Sequence, residues 1–300
     1  MTHDRWAKLL ARPGVVLADG AMGTMLFDAG LQFGDPPERW NVEYPDRVRA
    51  IHRGYLEAGA RLILTNTFGG NGFRLGLHGL EGRVAELSMA GALIARAEVD
   101  ASGNGALVAG DIGPSGTILA PLGETLFEDA AAAFAEQARA LVKGGVDVLW
   151  IETMSDLEEM RAAMEGARQA SADIPLLTTM TFDTRGHTMM GVSPEQAVTS
   201  LGAWGADAIG GNCGNGPEEI IGVLEKMHAA APEAVLVAKA NAGVPQLIQG
   251  RAVYGASPEA MGEYARAAAA LGARIIGACC GSTPAHLRAM AEALRGQLAA

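Results

Sequence analysis

The stretch Lys143-Gly144-Gly145-Val146-Asp147-Val148-Leu149-Trp150-Ile151-Glu152-Thr153 decides how the chain is read. It opens with glycines that can cap a helix and runs on as a nearly unbroken apolar segment. It ends on a carboxylate. A strand that alternates apolar and polar residues suits a half-exposed sheet, whereas an unbroken apolar run suits a strand covered on both faces, as in a parallel sheet. The same grammar recurs along the chain. Glu57-Ala58-Gly59-Ala60, Trp204-Gly205-Ala206 and Leu271-Gly272-Ala273 each place a glycine between a helical pattern and the next strand.

Reading outward from that unit gives strands at Val15–Asp19, Arg61–Phe68, Ala106–Ile112, Val146–Thr153, Pro175–Phe182, Ala206–Cys213, Ala234–Ala240 and Arg274–Cys280. Helices are expected at Pro45–Ala58, Glu128–Lys143, Asp156–Ala170, Pro194–Trp204, Pro217–Ala230 and Ser257–Leu271, several opening with a Pro or a capping residue. The Gly-rich connection Gly69–Leu87 reads as a loop or lid. Eight strands alternating with helices, without a linker-like break, predict one (β/α)8 TIM barrel spanning residues 1–300. An open doubly wound sheet is the alternative.

The composition supports a globular chain, with 49% apolar and 19% charged residues. Aromatics are only 5%, so Ala, Val, Leu and Ile must fill the core. No apolar run reaches membrane-spanning length, and Met1-Thr2-His3-Asp4-Arg5-Trp6 does not read as a secretory signal. A formal charge of -11 opposes binding to nucleic acid. A cytoplasmic enzyme is expected, in contact with neither membrane nor nucleic acid. Its oligomeric state is not legible, although a homo-oligomer is compatible with the sequence.

In such barrels the active site lies where the strands end and the βα loops begin. The expected strand ends carry Asp19-Gly20, Thr65-Asn66-Thr67, Asp111, Glu152-Thr153, Thr181, Asn212-Cys213, Asn241 and Cys279-Cys280. All three cysteines of the chain fall on this one rim. An odd number, two of them adjacent, makes a poor disulfide framework and a good metal-binding set. Neighbouring side chains on a strand face opposite ways. Cys279 and Cys280 can therefore share an ion only if the backbone turns, which Gly281 permits. Three thiolates with a fourth position open describe a catalytic Zn2+ site that takes a substrate sulfur. Buried core cysteines and a strained vicinal disulfide are the plainer readings.

The loop Asp19-Gly20-Ala21-Met22-Gly23-Thr24 lacks the dinucleotide spacing but allows close backbone approach to an anion such as a carboxylate, or is simply a turn. Asp19 and Glu152 could together hold an ammonium group, or each could cap a helix. His3, His52, His78, His187, His228 and His286 form no spaced metal pair and read as surface or capping residues. Trp40 reads as packing, with the barrel mouth as the alternative, and Met189-Met190 as core or loop filler.

Together these segments resemble the homocysteine S-methyltransferase family, which includes betaine–homocysteine methyltransferases and the homocysteine-binding module of cobalamin-dependent methionine synthase. The resemblance rests on Asp19-Gly20-Ala21-Met22-Gly23-Thr24, Thr65-Asn66-Thr67-Phe68, Gly110-Asp111-Ile112-Gly113-Pro114, Ile151-Glu152-Thr153, Gly211-Asn212-Cys213, Asn241-Ala242-Gly243 and Cys279-Cys280-Gly281-Ser282-Thr283-Pro284. It implies that Cys213, Cys279 and Cys280 hold zinc and a homocysteine thiolate. It also implies that Asp19 and Glu152 meet the substrate amino group, that backbone near Gly20 and Met22 meets its carboxylate, and that Thr67 lies close by. Ala278 stands where the family usually has glycine.

For the methyl donor, animal-type betaine enzymes carry cage aromatics where this chain has Gly69 and Thr153. Bacterial betaine-type sequences share the Thr-Asn-Thr-Phe-Gly-Gly stretch. The chain ends after the barrel module, so a methyl-corrinoid or 5-methyltetrahydrofolate-derived donor is expected to arrive on a separate protein, with betaine or S-methylmethionine as alternatives. Two other readings are a non-catalytic zinc-binding barrel subunit and a lyase or aldolase using Lys239 as a Schiff-base lysine.

Overall fold

The computed structural model describes residues 2–248 and 251–299. Its main sheet begins with β1 (Val16–Leu17), β2 (Leu62–Leu64), β3 (Leu107–Ile112) and β4 (Val148–Met154). It continues with β5 (Leu176–Met180), β6 (Ala208–Cys213) and β7 (Leu236–Ala240). A two-stranded antiparallel hairpin follows, made of β8 (Gln246–Ile248) and β9 (Arg251–Val253), before β10 (Ala273–Ala278) completes the set. The eight parallel strands run β1-β10-β7-β6-β5-β4-β3-β2, and a bridge between Ala18 and Leu62 joins the two ends. The sheet is therefore a closed (β/α)8 barrel, as expected.

Two apolar layers follow from the period-two alternation. Val16, Leu62, Leu107, Val148, Trp150, Leu177, Val237 and Ile275 fill the inside of the barrel. Leu17, Ile63, Val108, Leu149, Ile151, Leu176, Leu236 and Ile276 face the helices. Fully burying one such side chain stabilises the fold by about 1.5–3 kcal/mol. A one-residue slip would exchange the layers, so register is strongly enforced. Trp6 and Leu9 of the helix Thr2–Ala11 cap the inner layer at the amino-terminal end. There Asp147 takes Arg5 and Arg96, each at 2.7 Å.

The expected helices form within a residue or so of their anticipated ends. Pro194–Ala203 opens with a full capping box from Ser193 and Gln196. Several elements depart from expectation. The segment Gly69–Leu87 is not an open loop: it holds the helix Gly72–Gly76, a short 3-10 turn at Glu81–Arg83 and the start of the helix Val84–Ser102. The buried face of this last helix mixes Val84, Leu87, Ile94 and Val99 with Ser88, Gly91 and Glu98, which gives little apolar contrast in sequence.

His52 is not a surface residue. It is buried on the inner face of Pro45–Glu57 with Val48, Ile51, Tyr55 and Leu56, a placement its helical spacing already implies. Burial holds its imidazole down at about 4, so it is neutral. His78, His187 and His228 are exposed, and His286 caps the last helix through Thr283; the side chain of His3 lies outside the described residues. Trp40 packs in the core, and Met189 and Met190 sit in an exposed loop.

Candidate active site

Four expected strands, β1, β2, β5 and β10, end earlier in the ladder than the sequence suggests, and the difference at three of them builds the site. β2 stops at Leu64, β1 at Leu17 and β10 at Ala278, so the polar residues that follow are free to bend over the barrel mouth. Ala278, where the family usually has glycine, remains in the strand with its side chain buried.

Beyond it Cys279 and Cys280 leave the strand through a turn completed by Gly281 at φ +79°. Cys279 N–H donates to the Ala240 carbonyl at 2.7 Å, and the Cys280 carbonyl accepts from Ala242 N–H at 2.9 Å. The turn is thus stitched to the end of β7. Ser282 ties it to the first loop as well, accepting from Ala21 N–H at 3.0 Å and donating to the Cys279 carbonyl at 2.8 Å.

On β6 the last residue, Cys213, takes a left-handed conformation at φ 59°. For a side-chain-bearing residue this costs about 1–3 kcal/mol and persists only where the surroundings enforce it. It turns Sγ toward β10, 2.8 Å from the Cys279 sulfur. The sulfurs of Cys213, Cys279 and Cys280 all lie within 4.8 Å of one another. In a tetrahedral zinc site with Zn–S near 2.3 Å the sulfurs stand about 3.8 Å apart, so the Cys213–Cys279 pair at 2.8 Å would have to open by about 1 Å to share an ion. All three are free thiols, so no vicinal disulfide forms. Hydrogen bonds from Cys213 and Cys279 hold the Cys280 thiol well below its ordinary range, while hydrogen bonds with Cys279 and Cys280 push Cys213 up.

Beside the sulfurs lies a carboxylate cluster. Asp19, Asp111 and Glu152 are all buried, and so is Lys239, which projects from β7 among them. Lys239 Nζ stands 3.4 Å from Asp19 Oδ1 and 3.6 Å from Glu152 Oε2, with the Trp150 ring 5.3 Å away. Asp19 Oδ2 accepts from Leu64 N–H at 2.8 Å. Asp19 Oδ1, Glu152 Oε2 and Asp111 Oδ1 have no hydrogen-bond partner.

Burial pushes the Asp19 carboxyl up to about 6 against the pull of Lys239, and Glu152 up to about 7 by the same balance. Asp111 is raised well above the usual range by burial and then by the Glu152 charge. Burial alone would discharge Lys239, but Glu152 and Asp19 outweigh it and hold the ammonium. A Schiff-base nucleophile must be neutral, so this environment disfavours the lyase reading.

These groups open onto one cavity of about 370 Å³. Gly20, Met22 and Thr67 line it, as do Asp19, Glu152 and the three cysteines, so every expected site residue is gathered there. Two qualifications are structural. Gly20 is required by packing, because a Cβ there would sit 2.5 Å from Ser282 Oγ. The Thr67 hydroxyl is already committed, donating to the Asp111 carbonyl at 2.7 Å. Phe68 of the Thr65–Phe68 motif also lines the cavity, as do Glu38 and Arg74, which no sequence motif marks.

Cage aromatics are not found at the positions compared. Gly69 donates its N–H to Glu38 Oε1 at 2.6 Å, and a Cβ there would meet that oxygen at 3.1 Å. Trp40 packs against Tyr44 in a tilted pair and under the Arg47 guanidinium instead of lining the cavity.

Comparison with known proteins agrees with this geometry. Residues 16–294 match the family model described as homocysteine S-methyltransferase. Methionine synthases of Mycobacterium leprae and Mycobacterium tuberculosis are each 37% identical over 93% of this chain, which spans only 24% of their length. The metallated form of the homocysteine methyltransferase MmuM from Escherichia coli superposes with a TM-score of 0.80 at 26% identity, covering 95% of this chain and 98% of that one. Pyruvate carboxylase from Rhizobium etli shares the fold alone, at 14% identity and a TM-score of 0.52.

Proposed function

Because the chain belongs to the homocysteine S-methyltransferase family, we propose that it methylates the sulfur of homocysteine to give methionine, with Zn2+ held by Cys213, Cys279 and Cys280. The observation that carries this reading is the three-sulfur cluster beside the buried Asp19 and Glu152 carboxylates, whose Oδ1 and Oε2 accept no hydrogen bond and face only the shared Lys239 ammonium. One ammonium shared between two buried carboxylates leaves hydrogen-bonding capacity unused, and a substrate ammonium would supply donors to both Asp19 Oδ1 and Glu152 Oε2. Backbone near Gly20 and Met22 would receive the substrate carboxylate, with Thr67 alongside. When bound, zinc supplies stabilisation of the acceptor thiolate at neutral pH. The thiol proton leaves to solvent on binding. The new S–C bond forms as the methyl–carrier bond breaks, its electron pair departing with the carrier. These roles need no catalytic histidine, and the task they give to Asp19 and Glu152 argues against a non-catalytic zinc-binding subunit.

For the donor we favour a methyl-corrinoid or 5-methyltetrahydrofolate-derived group presented by a separate protein. The support is the similarity to methionine synthases, together with the lack of aromatics at Gly69 and Thr153 and the packing of Trp40 away from the cavity. A small cationic donor such as betaine or S-methylmethionine is the second reading, favoured by the Glu38 carboxylate that lines the same cavity. We read residues 1–300 as one homocysteine-binding barrel domain. Its three free thiols suit a reducing, cytoplasmic setting. Among the described residues no helix is long and apolar enough to cross a membrane.

The test is zinc content of the purified protein, followed by methionine formation from homocysteine with methylcobalamin, betaine and S-methylmethionine in parallel. The expected result is about one zinc per chain, lost together with activity in Cys213→Ala. Zinc-free protein, or full activity in that variant, overturns the reading.

A further inference from the structure

Two side-chain-bearing residues at the cavity hold left-handed backbones, Thr153 at φ 63° and Cys213 at φ 59°. They lie on different strands, at the ends of β4 and β6, with β5 between them. One side chain touches both. Asn212, fully buried, accepts from Thr153 N–H through Oδ1 at 2.9 Å. Its Nδ2 donates to Thr153 Oγ1 at 2.7 Å and reaches Cys213 Sγ at 3.5 Å. At Thr153 the β4–β5 register also shifts, between Ile151 and Met154, so the residue after Glu152 sits in a bulge. Bulges at barrel rims re-aim the neighbouring side chain.

We propose that Asn212 is a positioning residue: its amide locks the Glu152–Thr153 bulge to the Cys213 turn and gives the Cys213 sulfur an N–H donor. The proposal rests on the reading that Cys213 is a zinc ligand. An amide suits the task because one end accepts and the other donates twice. Thr153 N–H needs an acceptor, while the Thr153 hydroxyl and a Cys213 thiolate each need a donor. A carboxylate of the same size keeps the first bond and can accept the hydroxyl proton, but it has no N–H for sulfur and sets a negative charge against it. Through this amide the carboxylate assigned to the substrate amine and the sulfur assigned to the metal keep a fixed separation. Second-sphere groups of this kind fix ligand orientation and tune the metal.

The test compares wild type, Asn212→Asp and Thr153→Val. Zinc affinity is read by chelator competition, the cobalt-substituted protein by its thiolate-to-cobalt charge-transfer band, and homocysteine by its dissociation constant. Asn212→Asp is expected to bind zinc about 10–100-fold more weakly, to move the charge-transfer band to longer wavelength, and to weaken homocysteine binding. Thr153→Val keeps the donor to sulfur, so its zinc affinity and band stay near wild type while homocysteine binding weakens. A purely structural role would change thermal stability without moving the band. Wild-type zinc affinity and band position in Asn212→Asp overturn the proposal. Failure of the wild-type protein to bind zinc or cobalt is a separate, earlier result that overturns the three-thiolate reading and this proposal with it.

Discussion

Lys239 Nζ lies 3.4 Å from Asp19 Oδ1, a buried ion pair between the ends of β7 and β1 that reaches across β10. The family motif directs attention to Asp19 as a group for a substrate ammonium, yet the fold already places a protein ammonium next to it. The carboxylates are thereby kept available in a site that burial would otherwise neutralise.

Removing that cation should therefore cost stability. Lys239→Met is expected to destabilise the metal-free protein by about 3–5 kcal/mol near pH 8, as breaking a buried ion pair leaves a charge uncompensated. The variant gains protons relative to wild type, so its deficit should grow as pH rises and shrink toward pH 5.5. Urea unfolding at the two pH values checks this, and a deficit independent of pH would contradict it.

The raised carboxylates fix a pH trend in the wild-type protein. Asp19 moves from 3.8 to about 6 and Glu152 from 4.5 to about 7, both through burial. A pKa raised on folding contributes stability that is fully present below the unfolded value and lost as pH climbs through the folded one. Their contribution should thus decline between about pH 4 and pH 7. The difference in unfolding free energy between wild type and Asp19→Asn/Glu152→Gln should carry this slope.

Substrate binding should run the opposite way. If an ammonium is to meet Asp19 and Glu152, they must be ionised, so homocysteine affinity is expected to strengthen as pH rises from 5.5 to 7.5. Calorimetric titration of the zinc-loaded protein measures it. A thiol of similar size without an amino group should lack the component due to Asp19 and Glu152.

Gly281 cannot carry a side chain. It sits at φ +79°, and a Cβ there would meet the Tyr254 ring at 2.1 Å. Gly281→Ala is expected to cost about 1–3 kcal/mol from backbone strain alone, with more from displacing Tyr254. Because the Cys279-Cys280 turn moves with it, zinc affinity should fall together with the melting temperature. A stable variant with unchanged zinc affinity would show that the turn is not what aligns the two sulfurs.

The architecture was legible before any coordinates. Unbroken apolar runs such as Val148–Ile151 alternate with amphipathic helices, and local periodicity encodes which face of each element is buried. The rim positions of Cys213, Cys279 and Cys280 follow from the same pattern, because a strand end is a local feature. His52, which reads in sequence as a surface or capping residue, is an exception: its spacing along Pro45–Glu57 puts it on the buried face with Val48, Ile51 and Tyr55. What the sequence could not contain is how the strand ends meet. Lys239 beside Asp19 depends on barrel closure across 220 residues of chain. The left-handed turns at Thr153 and Cys213 are paid by contacts from Asn212, not by any local propensity. The three cysteines were a rim motif in the sequence. Their gathering within 4.8 Å was decided by register and closure, which are properties of the whole barrel.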